Sequence, residues 1–210
     1  MLHARPYRNT SALLELFSAR RGRFGAIARG GRKSKSLQPF QPLTGQFGGR
    51  GELLALHHYE PLAAPLALQG RALFCGLYVN ELMVRVLHRD VPVPDLSQPY
   101  DDALTALSGS DWPQDVVLRR FEYTMLTVLG YGFSLQQDNH GRPLQPQQHY
   151  CFDAEAGLQL CDQGLTGADL LAMAAGDWHA SARQAAKRLL RSALAPHLGD
   201  RPLLSRELFR

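Results

Sequence analysis

Residues 13–28 read LLELFSARRGRFGAIA, and this stretch predicts how the chain begins to fold. A compact apolar run fills 13–17, the Arg-Arg-Gly of 20–22 is typical of a turn, and apolar residues then alternate over 24–28. Short apolar runs on either side of a turn are typical of paired strands. The stretch therefore predicts two neighbouring strands joined near residues 20–22.

The next segments predict further short strands rather than helices. Residues 30–36 (GGRKSKS) are rich in turn-forming and charged residues and predict an exposed loop. Pro39 and Pro42 keep the following residues extended, and the glycine-rich turn at 48–51 separates two more apolar runs. Several short strands at this spacing favour a small β-barrel over a parallel sheet.

After residue 65 the spacing of apolar residues changes to a helical period. Steps of three and four predict helices over 71–89, 95–107, 118–129, 166–175 and 181–198. Thr166, with Asp169 three residues later, resembles a capping box at the start of the fourth helix. The predicted class is α+β: a β-barrel over 1–65, then a mostly helical domain over 66–210 with a turn-rich hairpin insertion over 133–165.

The charge of the chain is divided unevenly along its length. The 210 residues carry a net charge of +4, from 23 Lys and Arg against 19 Asp and Glu. Residues 1–50 hold ten of the basic residues and one acidic residue, a net +9, whereas residues 51–210 hold thirteen and eighteen, a net −5. A concentrated positive charge gains affinity for a polyanion by releasing condensed counterions. The pattern favours nucleic acid as the partner of the N-terminal part, over a solvated basic face without a partner.

The cellular location is predicted from features that the sequence lacks. No apolar run reaches the roughly 18 residues of a membrane-spanning helix, and no secretion signal follows Met1. Cys75, Cys151 and Cys161 are too few and too scattered to predict a disulfide framework. We expect a cytoplasmic protein with reduced thiols, in which Cys151 is a small core residue.

Catalytic and metal-binding patterns are also missing from the sequence. It has no GxGxxG, GxxxxGK[ST], HExxH or GxSxG motif. His140, His149, Cys151 and Cys161 fall in one turn-rich segment, but they lack the CxxC or HxxxH spacing that organises zinc ligands. We therefore expect no enzyme activity, no metal and no cofactor.

A series of short motifs resembles a known family of bacterial proteins. In the first part of the chain they are Arg5-Pro6-Tyr7, Gly22-Arg23, Ala28-Arg29-Gly30, LQPFQPL at 37–43 and GRGEL at 49–53. Later ones are GLYVNEL at 76–82, LRRFE at 118–122, LGYG at 129–132 and His197-Leu198-Gly199. Each motif is weak by itself, but together they run in order over essentially the whole chain. The sequence resembles the RecO family of DNA repair proteins.

The resemblance implies a fold, an activity and partners. It implies an oligonucleotide/oligosaccharide-binding (OB) barrel at the N-terminus and a helical C-terminal domain. It also implies a non-enzymatic recombination mediator that binds single- and double-stranded DNA and anneals complementary strands. Such a protein works with RecR, and in many bacteria RecF, to load RecA onto DNA coated by single-strand DNA-binding protein. The resemblance thus also implies a location at the nucleoid. Many relatives hold zinc through CxxC pairs in the segment matching 133–165, where this chain has no such pair.

Two groups of side chains are candidates for binding. For DNA we expect phosphate contacts from basic residues and base stacking by a tyrosine, from the set Arg5, Tyr7, Arg8, Arg23, Arg29, Arg32, Lys33 and Lys35. For the acidic, apolar tail of single-strand DNA-binding protein we expect cations beside an apolar groove, from the set Arg119, Arg120, Lys187 and Arg191. Among them we favour Arg119, because it lies in the LRRFE motif that resembles the family.

Alternatives to these roles stay open. Tyr7, and Phe40 as a second stacking candidate, could instead pack in the core, and Arg119 could form an ion pair with Glu122 or Glu81. A structural adaptor would use the barrel for protein contacts, with an incidental basic excess. A nucleic-acid-processing enzyme would need converging carboxylates or metal ligands, which the sequence does not supply.

Overall fold

The chain begins with a five-stranded sheet in the computed structural model, which describes residues 1–209. The strands are β1 (His3–Tyr7), β2 (Ser11–Ser18), β3 (Gly22–Ala28), β4 (Leu43–Gly48) and β5 (Leu53–Pro61). Their order is β1-β2-β3-β5-β4, and every neighbouring pair is antiparallel except β3 with β5. The predicted pair of strands around residues 20–22 is confirmed, because Ser18 pairs with Gly22 across the turn.

One face of this sheet supplies a hydrophobic core. Because side chains alternate between the faces of a strand, every second residue of β2, β3 and β5 points inward. The buried set is Ala12, Leu14, Leu16, Phe24, Ala26, Ala28, Leu37, Leu54 and Leu56. Leu14 and Ala26 are completely inaccessible to solvent, and they mark the centre of this cluster.

The sheet stays open between its edge strands, β1 and β4. No ladder joins them within residues 1–209, so the predicted α+β class is confirmed while a closed barrel is not. The segment leading into β4 does approach the start of β1, where the Phe40 amide donates to the Met1 carbonyl at 3.0 Å. Pro39 and Pro42 flank this contact and lack an amide hydrogen, so they cannot extend it into a ladder.

Helices follow the sheet, with a second, smaller sheet among them. The helices are α1 (Gly70–Val86), α2 (Ser97–Gly109), α3 (Gln114–Val128), α4 (Gly167–Ala175) and α5 (Ala180–Leu198). The predicted hairpin consists of β6 (His149–Asp153) and β7 (Gly157–Cys161), and β8 (Leu165–Thr166) pairs with the other side of β6. Short 3₁₀ helices span Gly31–Lys33, Pro94–Leu96 and Leu204–Phe209. In the described part of the chain, no helix combines the length and apolarity needed to span a bilayer.

The backbone divides into two compact units. Unit 1 comprises Met1–Asp111 and the C-terminal segment from Arg201, and unit 2 comprises Trp112–Asp200. The large sheet, α1 and α2 thus belong to unit 1, while the small sheet and the three later helices form unit 2. The predicted domain boundary after residue 65 falls inside unit 1, between the sheet and α1, and stays a prediction.

A buried polar network attaches the helices of unit 1 to its sheet. The Asn80 side chain donates to the Leu2 carbonyl at 2.8 Å and accepts from the Tyr100 hydroxyl at 2.8 Å. Asn80 is only 3% exposed, so these bonds replace the water that its amide would otherwise bind. Burial, together with the nearby charge of Asp101, raises the pKa of Tyr100 and keeps its hydroxyl a hydrogen-bond donor.

Two side chains one helical turn apart hold the C-terminal segment against α1. The Glu81 carboxylate accepts from both backbone amides of residues 204–205, at 2.9 and 2.8 Å, and from the Ser205 hydroxyl at 2.6 Å. Arg85 donates to both carbonyls of residues 201–202, at 2.8 and 2.9 Å. Glu81 and Arg85 thus form a clamp. It supplies hydrogen-bond partners to backbone groups of the C-terminal segment, which pairs with no strand within residues 1–209.

The core of unit 2 is shared by the small sheet, α4 and α5. Its buried members are Leu135, Leu144, Tyr150, Leu158, Leu165, Leu170, Met173, Ala182, Ala185, Ala186 and Leu189. The predicted cap of α4 is confirmed, because the Thr166 hydroxyl accepts from the Asp169 amide at 3.1 Å and donates to its carboxylate at 2.7 Å.

A bidentate ion pair joins α3 to α5. Arg183 donates to the two carboxylate oxygens of Asp115 through Nε at 2.8 Å and Nη2 at 2.6 Å. Partial burial opposes ionisation of Asp115, but the hydrogen bonds and charge of Arg183 outweigh it and hold the pKa of this carboxyl below its ordinary value.

The prediction about the cysteines is wrong. Cys151 and Cys161 form a disulfide with their Cα atoms 5.9 Å apart, and Cys151 is exposed rather than a core residue. Cys75 is the buried free thiol. The register of the hairpin explains the pairing. His149 on β6 lies opposite Cys161 on β7, and Cys151 follows His149 by two residues, so Cys151 is the diagonal neighbour of Cys161 on the same face. A separation of 10 residues looks scattered in the sequence, but the hairpin closes it.

Candidate nucleic-acid interface

Two loops meet at one end of the large sheet and bring predicted DNA-binding residues together. The β1–β2 turn is tied to the short helix Gly31–Lys33 where the Arg32 amide donates to the Thr10 carbonyl at 3.0 Å. The Arg32 guanidinium also donates to the Asn9 carbonyl at 3.4 Å. This tie places the cations of both loops at the same end of the sheet.

We call this surface the basic end; it consists of Arg8, Arg29, Arg32, Lys33 and Lys35, all of them exposed. None of the ion pairs found within residues 1–209 uses any of these side chains. No carboxylate in the described part of the chain therefore neutralises their positive charge, which is available to an anion in solution.

Arg5 and Tyr7 lie beside the basic end, on the outer face of β1. Strand alternation turns Ala4 toward the core and these two side chains away from it. Arg5 is exposed, and the half-buried Tyr7 ring has the Arg8 guanidinium 5.3 Å from its centre. Phe40 is only 6% exposed, which makes it a core residue rather than a stacking platform.

Arg23 lies at the opposite end of β3 from Arg29, and its guanidinium forms an ion pair within the sheet. Its Nη1 donates to the Glu15 carboxylate at 3.1 Å and its Nε donates to the Leu87 carbonyl at 2.9 Å. Arg89 binds the other oxygen of Glu15. The Arg23 side chain is 14% exposed, so the structure does not bring it together with the other predicted DNA-binding cations.

Unit 2 contains a groove of about 560 Å³ whose walls combine aromatic, apolar and polar side chains. It is lined by Trp112, Arg119, Arg120, Tyr123, Thr124, Ser134, Leu135, Gln136, Met173, Ala174, Ala175, Gly176, Trp178 and Leu190. Two of the four cations predicted for tail binding, Arg119 and Arg120, thus line this groove. Lys187 and Arg191 do not line it and are exposed on the outer face of α5.

The two arginines of the groove have different surroundings. Arg119 is 12% exposed and its Nη1 lies 2.8 Å from Glu122 Oε2, and Glu122 itself is completely buried. The alternative of an ion pair with Glu122 is therefore confirmed, and Glu81 binds the C-terminal segment instead. Arg120 is exposed, with its guanidinium 5.1 Å from the centre of the Trp112 ring.

The aromatic walls of the groove were not predicted. Trp112 and Tyr123 flank the two arginines in the sequence, and that proximity was the available signal. Met173 and Trp178 come from α4 and the segment after it, so only the packed structure brings them to the groove. The arrangement combines apolar surface with cations, which suits a ligand carrying both bulky apolar and acidic groups.

Comparison with known families defines the class of protein. The chain matches the family model for the N-terminal part of recombination protein O over residues 1–65 and the model for its C-terminal part over residues 67–207. The two matches cover nearly the whole chain in the expected order. The sheet with its basic end and the helical region with its groove are thus the two parts of a recombination protein.

Individual relatives give the same result. The chain is 49% identical over 216 residues to DNA repair protein RecO of Pseudomonas paraeruginosa, covering 100% of this chain and 92% of the relative. Identity is 45% to RecO of Pseudomonas putida, of which the match covers 95%, and 43% to RecO of Alkalilimnicola ehrlichii, of which it covers 88%. The chain belongs to the RecO family, and these names support a role in DNA repair.

Proposed function

We propose that this chain is a recombination mediator in DNA repair that binds single- and double-stranded DNA without sequence specificity and anneals complementary strands. With RecR, and with RecF where it is present, it helps load RecA onto DNA coated by single-strand DNA-binding protein. The role is not catalytic and is carried out in the cytoplasm at the nucleoid.

The observation that carries the proposal is the basic end. Five exposed cations from two loops have no carboxylate partner within residues 1–209. Arg5 and Tyr7 extend this surface along the outer face of β1. Phosphate contacts hold DNA without reading its sequence, which suits a protein that must act at any damaged locus. The arrangement of Arg23 with Glu15 favours a supporting role for Arg23 rather than DNA contact.

The large sheet would fit this function as an OB-type barrel. Support comes from the strand order β1-β2-β3-β5-β4, with a parallel β3–β5 pair. The hydrogen bond from Phe40 to Met1 brings the segment before β4 to the start of β1. OB folds bind single strands in basic grooves with aromatic rings on which bases stack, and Tyr7 is the candidate ring.

Annealing follows from charge neutralisation. Two approaching strands repel each other through their phosphates, and a cationic surface that binds both lowers that repulsion. Base pairing then supplies the free energy, so no nucleotide hydrolysis is required.

The test is a salt titration of single-stranded DNA binding. Replacing Arg32, Lys33 and Lys35 together by alanine removes up to three phosphate contacts, so the slope of log K against log salt should fall by about two units. The matched control removes three exposed arginines of unit 1 outside the basic end, Arg20, Arg71 and Arg206. Equal slopes for the two triple variants would contradict the proposal.

The groove of unit 2 is the proposed acceptor for the tail of single-strand DNA-binding protein. Apolar tail residues would enter between Trp112, Tyr123 and Trp178, and tail carboxylates would face Arg120 at the rim. Arg119 is half of a buried ion pair, so Arg120 is the better rim cation. Arg120→Ala should weaken binding of a tail peptide about tenfold, whereas Lys187→Ala on the outer face of α5 serves as the control. Undiminished affinity of Arg120→Ala would exclude the rim contact.

A further inference from the structure

The exposed cysteine pair of the β6–β7 hairpin has no role in DNA or tail binding. Cys151 and Cys161 lie on one face of the hairpin, with Cα atoms 5.9 Å apart. This separation lies inside the range of about 4.4–6.8 Å that disulfides require, so the bond forms without backbone movement. Within residues 1–209 the remaining cysteine, Cys75, is buried in α1 and cannot compete for either partner.

The surroundings leave both cysteine residues at least partly exposed and keep their sulfur atoms close together. Cys151 is exposed and Cys161 is half-buried. Both Sγ atoms lie near the carbonyl oxygen of Gln163, at 3.3 and 3.1 Å. The following turn is packed tightly, because a Cβ added to Gly164 would lie 2.4 Å from the Tyr150 carbonyl oxygen and 2.9 Å from Cys161 Sγ. The pairing of β6 with β7, in which His149 lies opposite Cys161, also holds Cys161 beside β6 through the backbone rather than through the sulfur atoms.

We propose that Cys151 and Cys161 are a reversible thiol–disulfide modification site. A protein that repairs DNA works where thiols are normally kept reduced, and disulfides in that setting are usually transient or redox-sensing. An exposed pair that the fold holds at bonding distance is suited to such exchange. The oxidant is a low-molecular-weight disulfide of the glutathione type.

The exchange proceeds in two steps that balance. A thiolate of the pair attacks one sulfur of glutathione disulfide, and the departing glutathione thiolate takes up a proton. The second cysteine, as its thiolate, then attacks the protein-side sulfur of the mixed disulfide, forms the Cys151–Cys161 bond and releases the second glutathione. Two protein thiols are oxidised, one glutathione disulfide is reduced to two glutathiones, and the two thiol protons pass to those glutathiones.

Closing the bond should stabilise the small sheet. Tyr150 on β6 and Leu158 on β7 are buried in the core of unit 2, so the hairpin is part of that unit's packing. A cross-link over 10 residues restricts the unfolded chain, and the oxidised protein should melt about 3–8 °C above the reduced one.

Thiol counting and intact mass on the full chain test the site. After equilibration with glutathione disulfide, the wild-type chain should lose two hydrogens, keep one thiol and carry no glutathione, and dithiothreitol should reverse this. Cys75→Ser should behave in the same way with no remaining thiol. Cys151→Ser and Cys161→Ser should instead each hold one bound glutathione and show no redox-dependent shift in melting.

Other products would overturn the proposal. Stable addition of two glutathiones without closure of the bond, three free thiols at equilibrium, or a disulfide that includes Cys75 would each show that the hairpin does not present a functional pair. The readout requires no DNA binding, so it is independent of the proposed mediator role.

Discussion

Replacing Glu15 by glutamine tests the ion cluster that fastens the outer face of the sheet. Glu15 on β2 binds Arg23 on β3 through one carboxylate oxygen and Arg89 through the other. The side chains of Glu15 and Arg23 are 16% and 14% exposed, and that of Arg89 is 33% exposed. Glutamine keeps the shape and one acceptor but removes the charge that balances two guanidinium groups.

The expected cost follows from this partial burial. Breaking a fully buried ion pair from one side costs about 3–5 kcal/mol, because an uncompensated charge remains in the interior. Arg89 can recover part of its hydration, since a third of its side chain is exposed. We expect Glu15→Gln to lower the free energy of unfolding by about 2 kcal/mol, which lowers the melting temperature by about 4–8 °C for a chain of this size.

The two units can be followed by separate signals. Both tryptophans of the chain, Trp112 and Trp178, belong to unit 2, so their fluorescence reports on that unit, while far-ultraviolet circular dichroism reports on both. In urea, Glu15→Gln should shift the circular dichroism transition more than the fluorescence transition. Glu60→Gln, an exposed change on β5, is the matched control. If the two variants unfold at the same urea concentration, the cluster does not stabilise the sheet and the reasoning fails.

Two further changes have defined outcomes. Asp115→Asn removes a carboxylate whose pKa is lowered in the folded state. The carboxylate therefore stabilises the fold at pH values above its ordinary pKa of 3.8, and this stabilisation is lost as the pH falls through the lowered pKa of the folded state. The pair is more than a third exposed, so the variant should be about 0.5 kcal/mol less stable at pH 7 and approach the wild type below about pH 4 in pH-dependent urea titrations. Gly22→Ala should cost about 2–4 kcal/mol in calorimetry, because φ is 75° and the added Cβ would lie 1.8 Å from the Val91 carbonyl oxygen. A fully stable alanine variant would mean that the turn rearranges.

Local patterns in the sequence predicted the elements whose cause is local. Alternation over 24–28 predicted β3, and Thr166 with Asp169 predicted the cap of α4. Charge counting located the cations of the basic end, because their loops follow each other closely in the chain. Each of these features depends on residues only a few positions apart.

Features that depend on distant residues were not predicted. Glu15 and Arg89 are 74 residues apart, and nothing in the sequence indicates that Arg23 shares this partner rather than facing DNA. The ion pair of Arg119 with Glu122 was one of two alternatives that the sequence offered, but its burial depends on the walls of unit 2 and was not predicted. The disulfide was missed for another reason: the hairpin register, not the number of intervening residues, decides which cysteines meet.

The clamp formed by Glu81 and Arg85 has a consequence for dissecting the protein. Because residues from Arg201 return to α1, unit 2 is a topological insertion into unit 1. A fragment ending at residue 111 would leave this face of α1 uncovered and would remove the backbone partners that residues 201–205 supply to Glu81 and Arg85. A minimal unit 1 should instead replace Trp112–Asp200 by a flexible linker that lets the returning segment reach its helix. A label attached near Phe209 would accordingly report on the sheet-bearing half of the molecule.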